Sequence, residues 1–219
     1  MREIEIHKDL ESLVDAVSDQ AVELISSLTS PKVALSGGTA GVLIAARVIN
    51  KLSDMQRLEG VHFYLADERF VEPDHPDSNL GQILSLIENS APELYRFKTP
   101  GETDIQSAVH AANSELGEKF SFDLALMGCG PDGHTASLFP GHQYPDDTCI
   151  AEINSPKPPS KRISFGYSAF LNSQHVWFSA SGEDKATAVS QALIGNESLP
   201  AGKITGQKTT KWFLTEELA

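Results

Sequence analysis

Short apolar runs alternate along this chain with longer segments of helical period, and no other feature restricts the fold as much. KVALS, VHFYLA, FDLALM, HVWFSAS and KWFLT are continuous apolar stretches of strand length, the pattern of strands buried on both faces. Between and around them, apolar residues recur at three- and four-residue steps. Leu10, Leu13, Val14, Val17, Ala21, Leu24, Ile25 and Leu28 do so from Asp9 to Leu28, and AGVLIAARVINKL, LGQILSLIEN, DIQSAVHAANSELGEKF and EDKATAVSQALI follow the same rule. Strands separated by helices predict an α/β fold, a mostly parallel sheet with helices on both faces.

No segment repeats with a fixed period. At 219 residues the chain can bury well over half of its unfolded surface without staples. The stretch nearest to a linker, NSPKPPSKR at 154–162, is short and rich in proline and cations, so we read it as a loop over a site within one domain covering 1–219. Two cysteines, Cys129 and Cys149, form neither a secreted framework nor a zinc pattern. The first twenty residues are studded with charge and lack the apolar stretch of a signal peptide. These observations lead us to expect a cytoplasmic protein. A net charge of −13 argues against nucleic acid or an anionic membrane as partner, and the lack of an obvious apolar stripe predicts a monomer.

In an open parallel sheet, ligands bind beyond the carboxyl ends of the strands. Three loops fall there: SGGT after KVAL, DERF after VHFYLA and GCGPDGHT after FDLALM. Gly37 and Gly38 let the backbone turn sharply, and the unpaired N–H groups of the next helix, with the Thr39 hydroxyl, suit a phosphate. The same glycine pair also serves many turns for geometry alone. There is no GxxxxGK[ST] loop and no full GxGxxG, which speaks against a nucleotide.

Asp67, Glu68 and Arg69 read either as a capped loop with a surface ion pair or as a strand end at which Asp67 or Arg69 meets a ligand oxygen. His75, in the acidic loop that follows, fits no metal-ligand spacing. His134 stands at the mouth of what reads as another helix, among Gly128, Gly130 and Gly133. Imidazole exchanges a proton near neutrality, Asp132 is placed to orient it, and the open backbone donors suit an oxyanion. Cys129 in the same loop reads as a small packed residue, and GYSAF lacks the second glycine of a hydrolase elbow. Lys157, Lys161, Arg162 and Lys185 are available cations, and Lys185 lies against the dipole preference of a helix start.

The blocks LSGGT, DERFVEPDHPDSN, MGCGPDGHTASLFPG, PKPPSKRIS and SGEDKA, in this order, resemble the 6-phosphogluconolactonases, which share a wider family with glucosamine-6-phosphate deaminases. The resemblance implies a Rossmann-like α/β fold and cofactor-free, metal-free hydrolysis of a sugar-phosphate lactone, 6-phosphoglucono-1,5-lactone, to 6-phosphogluconate in the oxidative pentose phosphate pathway. It places His134 as the general base and Asp67 and Arg69 at the reacting end. Gly37, Gly38, Thr39, Arg162 and Lys185 fall at the phosphate end. One departure is visible: the family's Ser-Thr-Pro after the glycine pair is Thr39-Ala40-Gly41 here. Two rivals remain open at this level. A deaminase usually reads FNEPG after its DGH, where this chain has SLFPG, and a sugar-phosphate sensor would bind without turnover.

Overall fold

The computed structural model describes residues 2–89 and 91–219. In chain order the first elements are β1 (Arg2–His7), α1 (Leu10–Ser26), β2 (Lys32–Leu35), α2 (Gly38–Asp54), β3 (His62–Leu65) and β4 (Asp67–Arg69). Next come α3 (Asn79–Leu84), β5 (Leu94–Tyr95), α4 (Ile105–Leu116), β6 (Leu124–Gly128), β7 (Cys149–Glu152) and β8 (Arg162–Phe165). The remainder is α5 (Tyr167–Leu171), β9 (His175–Ala180), α6 (Ala186–Leu193), α7 (Pro200–Lys203) and β10 (Thr209–Thr215).

Seven strands make one sheet in the order β1-β10-β9-β6-β2-β3-β5, with every neighbouring pair parallel. Its strands alternate faces as the pleat requires. Val33, Leu35, Leu124, Leu126 and Trp177 pack with Leu13, Val17, Val48 and Ile49 of α1 and α2. Ala34, Ala125, Val176 and Phe178 pack with Ala108 of α4, Val189 of α6 and with Ile163 and Phe165 of β8. Each fully buried Leu, Val, Ile or Phe contributes roughly 1.5–3 kcal/mol of transfer free energy, so both faces hold their helices firmly. Local signals set the helix ends. Asp9 caps α1 by accepting from the Ser12 N–H at 2.9 Å, and Asp104 caps α4 by accepting from Gln106 and Ser107 at 3.0 Å each.

The order of strands positions the site. From β2 the chain adds β3 and β5 on one side, then returns to add β6, β9 and β10 on the other. Strand order therefore reverses between β2 and β6, and a crevice opens beyond their carboxyl ends.

Among the departures from the sequence reading, three stand out. The DER triplet is not a loop: it is β4, the first strand of a small antiparallel sheet ordered β4-β8-β7, in which Arg69 stands opposite Arg162 and Asp67 opposite Ser164. β1 was not expected, because it is an edge strand whose Glu3 and Glu5 surround Lys211 of β10 at 3.7 and 3.5 Å. The third departure is at His134, which begins no helix. The chain there folds into a tight turn closed by a Thr135–Leu138 bridge, with Ala136 at φ 48°, a left-handed conformation that no helix accommodates.

A candidate active site where strand order reverses

The crevice is a cavity of about 290 Å³. Gly37, Gly38 and Thr39 from the start of α2 line it, with Asp67 and Arg69 of β4, His134 after β6, Arg162 of β8 and Lys185 before α6. These residues, singled out in five separate sequence blocks, thus face one space. Asp132 is the exception: it stands outside the lining and bonds to His134 from behind.

His134 is held by Asp132 through both its ring and its backbone. The Asp132 carboxylate accepts from ring Nδ1 and, at 3.3 Å, from the His134 backbone N–H. Burial by itself would raise the Asp132 acid, but the hydrogen bond and charge of His134 outweigh it and bring it down to about 2. Asp132 is therefore a carboxylate throughout the neutral range, Nδ1 carries the proton it accepts, and the lone pair is left on Nε2. Gly130 makes room for the ring, since a Cβ there would stand 2.0 Å from the imidazole Cε1.

Asp67 is buried and accepts the Ser137 hydroxyl at 2.6 Å, a bond that ties β4 to the turn carrying His134. Glu68, between the two candidate residues, does something else. Its carboxylate accepts the backbone N–H groups of Arg69, Asn79 and Leu80 at 2.7–2.8 Å and the Ser78 hydroxyl at 3.1 Å. Burial pushes its acid up, against the opposing pull of those N–H donors. Glu68 thus fastens the DER strand to the start of α3. Asn79, anchored there, donates to the Asp67 carbonyl at 2.9 Å and packs its amide against Gly37, so it bridges two of the loops.

The opposite wall is more open. α2 begins at Gly38 with Gly37 as its cap and no side-chain hydrogen bond to its first N–H groups, which leaves donors pointing at the crevice. Gly41 explains the departure from Ser-Thr-Pro: a Cβ at this position would stand 2.6 Å from the Ser36 carbonyl oxygen, so α2 can start this close to β2 only with glycine. Arg162, between the two walls, is buried on β8 opposite Arg69 and donates to the Pro159 and Lys157 carbonyls at 3.1 and 2.8 Å. Desolvation lowers its proton affinity and the neighbouring Asp67 raises it. With Lys157 and Lys185 it gives a chain of net charge −13 a locally cationic pocket.

Asn79, Lys157, Thr135 and Ser179 also line the cavity. Of these, Lys157 was visible as a cation in the sequence, whereas the others carried no signal of their own. Cys129 is no nucleophile: burial, with Lys185 only partly offsetting it, pushes its thiol up to about 12. Among the described residues no cluster of three or more His, Cys, Asp or Glu could hold a metal ion. Nor is any described helix long and apolar enough to cross a membrane.

A family model described as glucosamine-6-phosphate isomerases/6-phosphogluconolactonase matches residues 8–212. The chain belongs to this family. Within it, the 6-phosphogluconolactonase of Streptomyces coelicolor is 32% identical over 98% of this chain and 92% of its own length. That of Mycobacterium leprae is 30% identical over 99% and 96%. The crystal structure of the 6-phosphogluconolactonase of Thermotoga maritima superposes with a TM-score of 0.82 at 26% identity, covering 99% of this chain and 100% of that one. The family's α/β sheet with helices on both faces is the architecture found here.

In this chain the only carboxylate hydrogen-bonded to His134, among the described residues, is Asp132. On its other side stands Phe139, whose ring lies 4.9 Å from the imidazole.

Proposed function

We propose that this protein hydrolyses 6-phosphoglucono-1,5-lactone to 6-phosphogluconate, with His134 as the general base. The observation that carries the reading is the His134 environment: Asp132 on Nδ1, an aromatic ring instead of a second carboxylate beside it, and Nε2 left to a cationic cavity. A base with one orienting carboxylate suits activation of water. Moving a proton between carbons, as an isomerase must, calls for a further acid.

The phosphate dianion docks at the N–H groups of Gly38 and Thr39, with Arg162 and Lys185 supplying charge. Docking there places the lactone carbonyl toward His134. Nε2 takes a proton from water, the new C–O bond forms at C1, and Arg69 with the backbone N–H groups of the glycine loop holds the oxyanion. Asp67, with one oxygen on Ser137, accepts a sugar hydroxyl through the other. The C1–ring-oxygen bond then breaks and the imidazolium returns its proton to the leaving oxygen. No step needs a cofactor or metal. We place this chemistry in the cytoplasm, in keeping with two free, buried cysteines.

The test is decay of the lactone, generated in place from glucose-6-phosphate by its dehydrogenase, followed against spontaneous hydrolysis and beside ammonia release from glucosamine-6-phosphate. Acceleration of the first with none of the second is expected. Ammonia release without lactone turnover would assign the deaminase branch, and tight binding of 6-phosphogluconate with neither activity would assign a sensor.

A further inference from the structure

The aromatic neighbour of His134 is fixed as firmly as the carboxylate one. Phe139 is 2% exposed, and its ring plane is inclined 33° to the imidazole at the 4.9 Å centroid distance. The Arg162 guanidinium carbon lies 5.7 Å from the same ring centre, and the His142 ring 5.8 Å away. The Phe139 backbone N–H donates to the Tyr144 hydroxyl at 3.0 Å, which donates to Glu152 at 2.7 Å. Glu152 is itself buried and also bonds His142 Nδ1 at 2.7 Å and the Asn154 N–H at 2.6 Å. A buried carboxylate thus pins the backbone that carries the ring.

A benzene face presents negative charge density and attracts a cation within about 6 Å of its centre. When His134 takes a proton it becomes such a cation, beside a ring that already faces Arg162. We propose that Phe139 is a positioning residue for the base: its ring fixes the imidazole and stabilises the imidazolium formed as water is deprotonated. This inference rests on the base role given to His134 above.

The other charges facing His134 pull both ways. Asp132 in its own loop and Asp67 of β4 favour the imidazolium. Arg69 of β4, Arg162 of β8, Lys157 in the proline loop and Lys185 before α6 disfavour it. His142 and Glu152 lie beyond the ring. Against the four cations the ring adds a favourable contribution without the proton chemistry a carboxylate would bring.

Phenylalanines with one, three and five ring fluorines, introduced at position 139, keep nearly the same volume while weakening and then reversing the charge of the face. Two readouts follow: kcat for lactone hydrolysis across pH, and the NMR titration of the His134 Cε1–H in the free protein. We expect both the alkaline plateau of kcat and the titration midpoint to fall stepwise with fluorination. The full series should move the midpoint down by roughly half to one and a half pH units. A midpoint and a plateau indifferent to fluorine, with a large loss only in Phe139→Leu, would overturn the proposal and leave Phe139 as packing. If the unmodified protein fails to accelerate lactone decay, the base reading falls, and the NMR series alone still decides whether the ring favours the imidazolium.

Discussion

The two walls of the cavity are built differently. At the His134 wall the groups that aim the base have their partners within the protein: Nδ1 on Asp132, Asp67 on Ser137, Phe139 N–H on Tyr144 and Tyr144 on Glu152. At the α2 wall the helix start has no side-chain cap, Gly38 and Thr39 are exposed, and Lys157 and Lys185 reach the space without any hydrogen bond or ion pair of their side chains among the described residues. A group that must be aimed within a few tenths of an ångström is fixed before the substrate arrives. A phosphate can instead collect loose donors and charges, because attraction to a dianion tolerates imprecise geometry. Damage to the first wall should therefore appear in kcat, and damage to the second in KM.

The largest effect short of removing the base should come from Gly130→Ala. Its new Cβ would overlap the imidazole, which stands 2.0 Å away, and the ring must leave its place. We expect kcat to fall on the order of 10² to 10⁴, as for loss of a general base, with thermal stability lowered far less than activity. A kcat within about threefold of wild type would show that the ring needs no fixed seat.

Asp132→Asn should come next, with kcat reduced on the order of 10², the low end of the loss for a general base, because the amide no longer enforces the Nδ1–H tautomer. The pH profile sharpens this. The Asp132 carboxyl is depressed to about 2, so its interaction with His134 is complete above the ordinary carboxylate range and lost only as pH falls through about 2. In wild type the acid limb of kcat/KM thus reports an imidazole beside a charged carboxylate. In the variant that limb should move to lower pH, and an unmoved limb would separate Asp132 from the titration.

The smallest effect belongs to the open wall. Lys185→Met should raise KM about tenfold and leave kcat within about threefold, and in wild type KM should rise with salt. A loss confined to kcat would place Lys185 at the reacting end instead.

What the sequence disclosed follows the same division. Parallel strands buried on both faces announce themselves as apolar runs, so β2, β3, β6, β9 and β10 were legible. β1 was not, because REIEIH alternates charge at an edge, and β8 was not, because its four residues begin at Arg162, the last residue of the proline- and cation-rich stretch 154–162. The turn after His134 misled for a local reason: TASLF carries helical residues, and only the left-handed Ala136 reveals the bend. Glycine-flanked strand ends exposed the open wall and His134. The partners that fix the other wall were hidden, since Ser137 matters through Asp67 seventy positions away and Asn79 through the Asp67 carbonyl and Gly37. Spacing along the chain carries no trace of such contacts.

If His134 activates water, its loss must be visible in turnover. The decisive measurement is His134→Ala in the coupled lactone assay at neutral pH, read against the spontaneous rate. kcat should fall on the order of 10² to 10⁴ with KM little changed, because the α2 wall remains intact. A variant that matches wild type in kcat would contradict it and move the base to another residue of the cavity.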